Sequence, residues 1–178
     1  IIVTLCEDTD GDGLGNPGSE TEECVDGGRD ITDGCELPDL NLFLADDGSV
    51  FYQSSEEIGG FQFYIDCNGD CFGNDGDDVM INGASGGAAE DAGFMINTFN
   101  CVGCPYPYPT VLAFSLTGST IPAGCGTLVN LDLSGAAIGL IEIVVSDPTG
   151  QAIPFVYYVG DDTELVADCT DEYPDCAA

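Results

Sequence analysis

The sequence contains no histidine, no lysine and no tryptophan, and its one basic side chain is that of Arg29. Without histidine, neither a Ser/His nor a Cys/His nucleophile can be built within this chain, and Cys/His zinc sites are excluded too. Thirty-three acidic residues give a formal net charge of −32, which would repel nucleic acids and anionic membranes. No segment approaches the roughly 20 apolar residues of a transmembrane helix. We therefore expect no enzymatic activity, no catalytic residues, no nucleic-acid partner and no membrane insertion.

Cysteine, in contrast, is abundant, with ten residues in a chain of 178. An even number of cysteines in an acidic chain is typical of disulfides formed in an oxidising compartment. There is no initiator methionine and no basic leader, so we expect an extracellular protein (secreted, cell-surface or fimbrial) whose signal peptide has been removed. The cysteines are Cys6, Cys24, Cys35, Cys67, Cys71, Cys101, Cys104, Cys125, Cys169 and Cys176.

The pairing of these cysteines cannot be derived from their spacing. Three belong to the segment before residue 37, two to the tail, and four to two short insertions that neighbouring strands could bring together. Cys125 stands apart and needs a distant partner. The C-x-x-C stretch at 101–104 has no βαβ setting and no basic residue to lower a thiol pKa, which favours a structural bridge over a redox pair.

The middle of the chain is a succession of short strands separated by Gly, Asp, Ser and Pro. Alternation places Phe61, Phe63 and Ile65 on one face of a strand. In residues 127–133, Val129, Leu131 and Leu133 share one face, whereas Leu128, Asn130 and Asp132 share the other. The predicted strands are 40–44, 50–53, 60–66, 79–82, 94–98, 110–117, 127–133, 141–146 and 153–159, with one helical turn in 87–94. About nine such strands predict an all-β, antiparallel β-sandwich of the jelly-roll or immunoglobulin-like kind.

Within this region, residues 40–160 resemble the cohesin family of secreted β-sandwiches. The similarity rests on the strand "GFQFYID", the stretch "GFMINT", and the pattern "FSLTGSTIPAGCGTLVNL". The resemblance implies the fold and an extracellular biology concerned with assembly, but not binding of dockerin. The insertions at 67–78 and 100–109 depart from the family pattern and carry paired cysteines.

An acidic ladder, "DTDGDGLGN", follows the first strand-like residues. Asp8, Asp10 and Asp12 take positions 1, 3 and 5 of a calcium loop, followed by Gly13, the Leu14 carbonyl and Asn16. Alternate side chains can then converge on one ion while glycine lets the chain turn. The loop resembles the thrombospondin type 3 calcium repeat more than an EF-hand, because position 12 is serine and no helix can follow Pro17. That resemblance implies further ligands from Glu20 and Asp33. An acidic turn without metal is the alternative.

A second ladder, weaker in pattern, lies in the first insertion. Asp66, Asn68, Asp70, Asn74 and Asp77 fall at positions 1, 3, 5, 9 and 12, but position 6 is Cys71 instead of glycine. The alternative is an acidic hairpin tip closed by a disulfide.

The distribution of acids suggests four segments. Residues 1–36 hold eleven acids and 161–178 hold seven, whereas 92–160 hold three. We expect a strand at 1–5, a calcium-binding appendage at 6–36, the sandwich at 37–166 and an acidic, cysteine-containing tail at 167–178. The strand Ile1, Ile2, Val3, Thr4 and Leu5 is apolar on both faces, so it needs pairing in a sheet. It can be the first strand of its own sandwich or add to the sandwich of a neighbour.

Three functions are consistent with these features. The first is a structural subunit of a calcium-stabilised, pilus-like filament or surface layer, polymerising head-to-tail with copies of itself through residues 1–5. The second is a monomeric cohesin-like adhesin, scaffold or carbohydrate-binding module that contacts surface glycans through its tyrosines. The third, an acidic glycosidase, would need two carboxylates on a concave face with different pKa values, and the charge-poor region does not offer such a pair.

Overall fold

A computed structural model of the chain describes residues 2–7, 21–24, 31–67, 71–72, 78–100, 108–159 and 165–166. The chain divides into two compact units, one formed by Ile1–Asp30 with Val159–Ala178 and the other by Ile31–Tyr158. The second unit starts ahead of the boundary predicted at residue 37 and stops before the one predicted at residue 166. Cys35, which the sequence placed with the appendage, therefore belongs to the second unit.

Secondary structure in the described residues is almost entirely β. In chain order the elements are β1 (Ile2–Glu7), β2 (Thr21–Cys24), a 3-10 turn (Gly34–Glu36), β3 (Asn41–Leu44), β4 (Ser49–Ser54), β5 (Gly60–Asp66), β6 (Met80–Ser85), α1 (Gly87–Asp91), β7 (Met95–Phe99), β8 (Thr110–Phe114), β9 (Gly124–Ser134), β10 (Gly139–Ser146), β11 (Ala152–Ile153), β12 (Val156–Tyr157) and β13 (Leu165–Val166). Among these residues no helix is long and apolar enough to cross a membrane.

The first unit contains a three-stranded antiparallel sheet with the order β13-β1-β2. Ile2 pairs with Cys24 and Leu5 with Thr21, while Cys6 pairs with Val166 on the other side. Within one chain, β1 is thus the middle strand of a small sheet of its own and not a strand of the sandwich.

The second unit is the predicted β-sandwich, made of two five-stranded sheets. The first sheet has the order β11-β10-β5-β8-β7 and the second has β12-β3-β4-β9-β6. Eight of the nine predicted strands are present as single strands, within a few residues of their predicted ends. The ninth, 153–159, is interrupted at Pro154, which has no N–H for a ladder. Its first part joins β10, and its second part pairs parallel to β3, so the sandwich is not purely antiparallel.

The core lies between the sheets, as the period-two pattern predicts. Phe61, Phe63 and Ile65 are all buried. The assignment of faces in 127–133 was wrong for one residue, because Leu128 and Val129 are both fully buried. Val50 pairs with Val129 and Phe51 with Thr127, so Leu128 is the extra residue of a β-bulge that turns two consecutive side chains inward. The predicted helical turn is confirmed as α1, whose Ala89 is buried against the core.

A disulfide between Cys35 and Cys125 attaches the 3-10 turn to β9 across 90 residues of sequence. The turn fits closely at Gly34, where a Cβ atom would lie 2.3 Å from the carbonyl oxygen of Gly126 and 2.5 Å from that of Tyr52. Leu37, which follows, packs on Phe43 and Phe51. The segment before β3 is therefore held against the outer face of the second sheet by a covalent bond and by packing.

Candidate functional site

Most of the first predicted calcium loop lies outside the described residues. This applies to Asp8, Asp10, Asp12, Leu14, Asn16 and Glu20. The remaining candidate, Asp33, is exposed, and its Oδ1 accepts a hydrogen bond of 2.9 Å from the backbone N–H of Cys35, so it caps the 3-10 turn. Calcium binding by this loop stays a prediction.

The second predicted loop is described only at its start. Asp66 ends β5 and its carbonyl accepts the N–H of Ile138, whereas Asn68, Asp70, Asn74 and Asp77 lie outside the described residues. Cys67 and Cys71 form a disulfide, and Cys71 is buried. This bond confirms the disulfide closure of this segment and leaves its metal binding untested. In the parts of the chain that the structure describes, no three acidic or cysteine side chains are grouped closely enough to hold a metal ion.

The predicted self-assembly strand and the other cysteines are described in part. Ile2, Val3, Thr4 and Leu5 lie in β1, and Ile1 lies outside the described residues. The backbone of Cys6 lies in β1 and that of Cys24 in β2. Cys101, Cys104, Cys169 and Cys176 fall outside the described ranges.

The two outer faces of the sandwich differ in whether other parts of the chain cover their aromatic residues. On the second sheet, Phe43 and Phe51 pair across β3 and β4 and point away from the core. Leu37, Tyr157 and Tyr158 cover them, with ring centroids of the two tyrosines 6.2 and 6.5 Å from that of Phe43. Both phenylalanines are consequently less than a tenth exposed. The chain itself thus shields this face with the segment before β3, with β12 and with Tyr158 after it.

The outer face of the first sheet carries apolar residues that no described residue covers in this way. We call it the open face. By register and burial it consists of Met95, Asn97 and Phe99 on β7, Thr110, Leu112 and Phe114 on β8, Gln62 and Tyr64 on β5, and Ile141 and Val144 on β10. Met95 is 45% exposed, Phe99 52% and Val144 55%. None of these residues is charged, in a chain with a net charge of −32. The acids of this sheet, Asp66 at the end of β5 and the exposed Glu142 on β10, lie two and three strands away from β7.

The open face also holds an aromatic pair. Tyr64 and Tyr108 are half-buried, and their rings stack at a centroid distance of 6.3 Å and an interplanar angle of 9°. Of the tyrosines that the sequence offers for contact with glycans, the pair at 106 and 108 is described only at Tyr108. In the stretch 155–158, Phe155 is buried in the core, and the two tyrosines pack on Phe43.

Several carboxylates of the sandwich are used to hold turns. The hydroxyl and N–H of Ser55 bond Asp39 and lower the pKa of its carboxyl below the ordinary value of 3.8. The Thr149 hydroxyl and the N–H of Gln151 lower the pKa of Asp147 in the same way, and the N–H of Ser49 lowers that of Asp47. These side chains remain ionised at neutral pH and serve as acceptors, a role that does not suit a general acid.

The sheets also differ in how their edges are protected. An edge strand exposes unpaired N–H and C=O groups unless charge, proline, a bulge or a short length blocks further pairing. β11, β12 and β13 are two residues long, and β2 carries Glu22 and Glu23. β7 is five residues long and reads "MINTF", without charge, proline or a register shift. The sequence predicted this strand but gave no sign that it lies at an edge, because strand order depends on long-range pairing.

Comparison with protein-family models, curated proteins and solved structures gave no match for this chain. The similarities to cohesins and to thrombospondin type 3 repeats therefore stay predictions from sequence motifs. The open face and the edge strand β7 are the features of the described structure that bear most directly on function.

Proposed function

We propose that this chain is a non-enzymatic structural subunit of an extracellular, calcium-stabilised filament or surface assembly. In this proposal residues 1–5 of one copy add as a β-strand to the sandwich of the next copy. Repetition of a single head-to-tail contact that does not close on itself generates an open helical filament. The observation that carries the proposal is the part of the open face on β8 and β7, which is uncharged and partly exposed and which ends at the unprotected edge strand β7.

Charge explains why such a face matters here. Two copies that each carry −32 repel one another, so they can approach closely only where no carboxylates face each other or where cations lie between them. The open face meets the first condition along β7 and β8, which contain no acid. Calcium bound by the predicted loop would meet the second by neutralising part of the acidic first unit.

Strand addition would take the form of an exchange. In a single chain β1 already pairs with β2 over Ile2–Leu5 and with β13 at Cys6 and Glu7. When it moves to a neighbour it loses these pairs and gains new ones, so the net free energy comes from the side-chain contacts made in the new position. The sandwich is a separate unit with its own core, which supports its folding without β1.

The test combines deletion with chelation. We expect negative-stain microscopy to show filaments of the full chain in calcium, and we expect a chelator to dissolve them and to lower the melting temperature. A variant lacking residues 1–5 should keep the sandwich melting transition and form no filaments. The proposal would be wrong if the deleted chain still polymerised, or if the full chain stayed monomeric in calcium by light scattering.

The stacked pair Tyr64–Tyr108 supports a second candidate, a monomeric cohesin-like adhesin or carbohydrate-binding module, because aromatic rings on the face of a sheet can stack on sugars. This function would show as monomers in calcium together with retention on a polysaccharide that is lost in Tyr64→Ala. Binding that survives Tyr64→Ala would remove the tyrosine pair as the site.

A further inference from the structure

We propose that the edge strand β7, Met95–Phe99, is the acceptor on which residues 1–5 of a neighbouring copy add. This inference rests on the proposed function and names the partner surface of that contact. The added strand would become the sixth strand of the first sheet and would border the open face.

The other sheet edges argue for β7 by elimination. The short strands β11, β12 and β13 offer too few N–H and C=O groups for pairing. The two glutamates of β2 would repel the acidic side chains of another copy. β6 has a register shift between Ile81 and Gly83. In addition, the side chain of Asn100 accepts the N–H of Ile81 at 2.9 Å and donates to its C=O at 2.8 Å, which occupies the pairing groups of that residue. Among the strands described, β7 alone is long, uncharged and without such a device.

The register shows which backbone groups of β7 point to its open side. The N–H of Ile65 bonds the C=O of Pro109, so Val111, which pairs with Phe63, also directs its groups to β5. In an antiparallel ladder alternate residues point to opposite sides. Leu112 therefore points to β7 and bonds its partner Asn97. The N–H and C=O groups of Ile96 and Thr98 consequently point away from β8, and no residue in the described part of the chain forms a backbone hydrogen bond with them.

The side chains beside this edge fit a strand that is apolar on both faces. On the outer side an added strand would lie next to Met95 and Phe99, both about half exposed. On the inner side it would lie next to Ile96, which packs against the core. Residues 1–5, "IIVTL", place apolar side chains on both faces of a strand, and none of these side chains is charged. An amphipathic strand would place polar groups against one of these two surfaces.

The acceptor edge has a defined end at Asn100. Its two hydrogen bonds to Ile81 join the residue after β7 to β6 of the other sheet. The added strand would therefore pair beside 95–99 and not beyond, which matches the five residues "IIVTL" in length.

The test blocks β7 in the full chain without touching β1. Thr98→Pro removes an N–H that points to the open side, a position where an edge strand tolerates proline. Asn97→Asp, a second variant that keeps the backbone, places a charge beside the incoming apolar strand. Gln62→Asp is the matched control, because Gln62 lies in the same row of the open face, two strands inward from β7. We expect both β7 variants to raise the critical concentration for filaments at least about tenfold, and Gln62→Asp, two strands away from the added strand, to raise it by clearly less.

Mixing two variants, one blocked at β7 and one lacking residues 1–5, tests whether these two segments bind each other. Thr98→Pro keeps its donor strand, and the chain lacking residues 1–5 keeps its acceptor, so together they should form a one-to-one dimer and no filament. If the deletion stops polymerisation but neither β7 variant does, strand addition stands and β7 is not the acceptor. If the β7 variants stop it and the deletion does not, β7 binds a different segment and both proposals are wrong. A Gln62→Asp effect equal to that of Asn97→Asp would indicate docking on the face and overturn pairing at the edge.

Discussion

Removing the disulfide between Cys35 and Cys125 should destabilise the sandwich more than removing the one between Cys67 and Cys71. The first closes a loop of 90 residues and the second a loop of 4. Loop-closure entropy in the unfolded chain then gives about 4.6 kcal/mol for the first and about 1.9 kcal/mol for the second at 25 °C. Cys35 and Cys125 are exposed, so their replacement by alanine leaves little cavity, whereas loss of the buried Cys71 sulfur adds about 1 kcal/mol.

The assay compares two double variants, Cys35→Ala/Cys125→Ala and Cys67→Ala/Cys71→Ala, so that no thiol of a removed pair remains free. Because the chain has no tryptophan, thermal unfolding is followed by far-ultraviolet circular dichroism or tyrosine fluorescence. We expect the first variant to melt roughly 10–18 °C below the unmodified protein, and the second roughly 6–11 °C below it. Equal losses, or a larger loss for the Cys67/Cys71 variant, would refute the loop-length argument.

Three further predictions concern single residues. Gly34→Ala should cost about 1–3 kcal/mol because its Cβ meets backbone atoms of the neighbouring strands, while Gly83→Ala, whose Cβ has nothing within 4 Å, should leave the denaturation midpoint nearly unchanged. Asn100→Ala should speed hydrogen exchange at the Ile81 amide and lower the free energy of unfolding by about 1–3 kcal/mol. Asn100→Asp can accept that N–H but cannot donate to the carbonyl, so its exchange rate should lie between those of the unmodified protein and Asn100→Ala. Equal protection of Ile81 in the three proteins would contradict the edge-capping role. The lowered pKa of Asp39 adds stability that is present above the pKa of the unfolded chain, about 3.9, and is lost as pH falls through the pKa of the folded protein. Asp39→Asn should therefore flatten the drop in melting temperature at acid pH. An unchanged slope of melting temperature against pH would contradict this role of Asp39.

The fold could be predicted from sequence because alternation is a local signal. The strand 60–66 shows this, since every second residue from Phe61 to Ile65 is apolar and buried. The same rule failed at Leu128, because a bulge depends on the partner strand and leaves no mark in the pattern. It also read 153–159 as one strand, although Pro154 ends the ladder and the chain passes to the other sheet.

The candidate site was less accessible to sequence reasoning. The apolar character of residues 94–98 is visible in the sequence, but its position at a sheet edge follows from pairing with β8, a strand that begins at Thr110. The bond between Cys35 and Cys125 joins residues far apart in sequence, so spacing carried no information about it. Phe43 and Phe51 look like any strand aromatics, and only the packing of Tyr157 and Tyr158 shows that their face is covered.

The Cys35–Cys125 bond also determines how this chain would carry tension. A pull applied through the residues before Cys35 and after Cys125 travels through the two sulfur atoms, because the disulfide is the shorter covalent path. Residues 36–124, with most of the sandwich strands, are then excluded from the load and cannot be drawn out as extra length. The force enters at the start of β9, a strand flanked by β4 and β6. Extension under load is therefore limited to the segments outside this covalent loop.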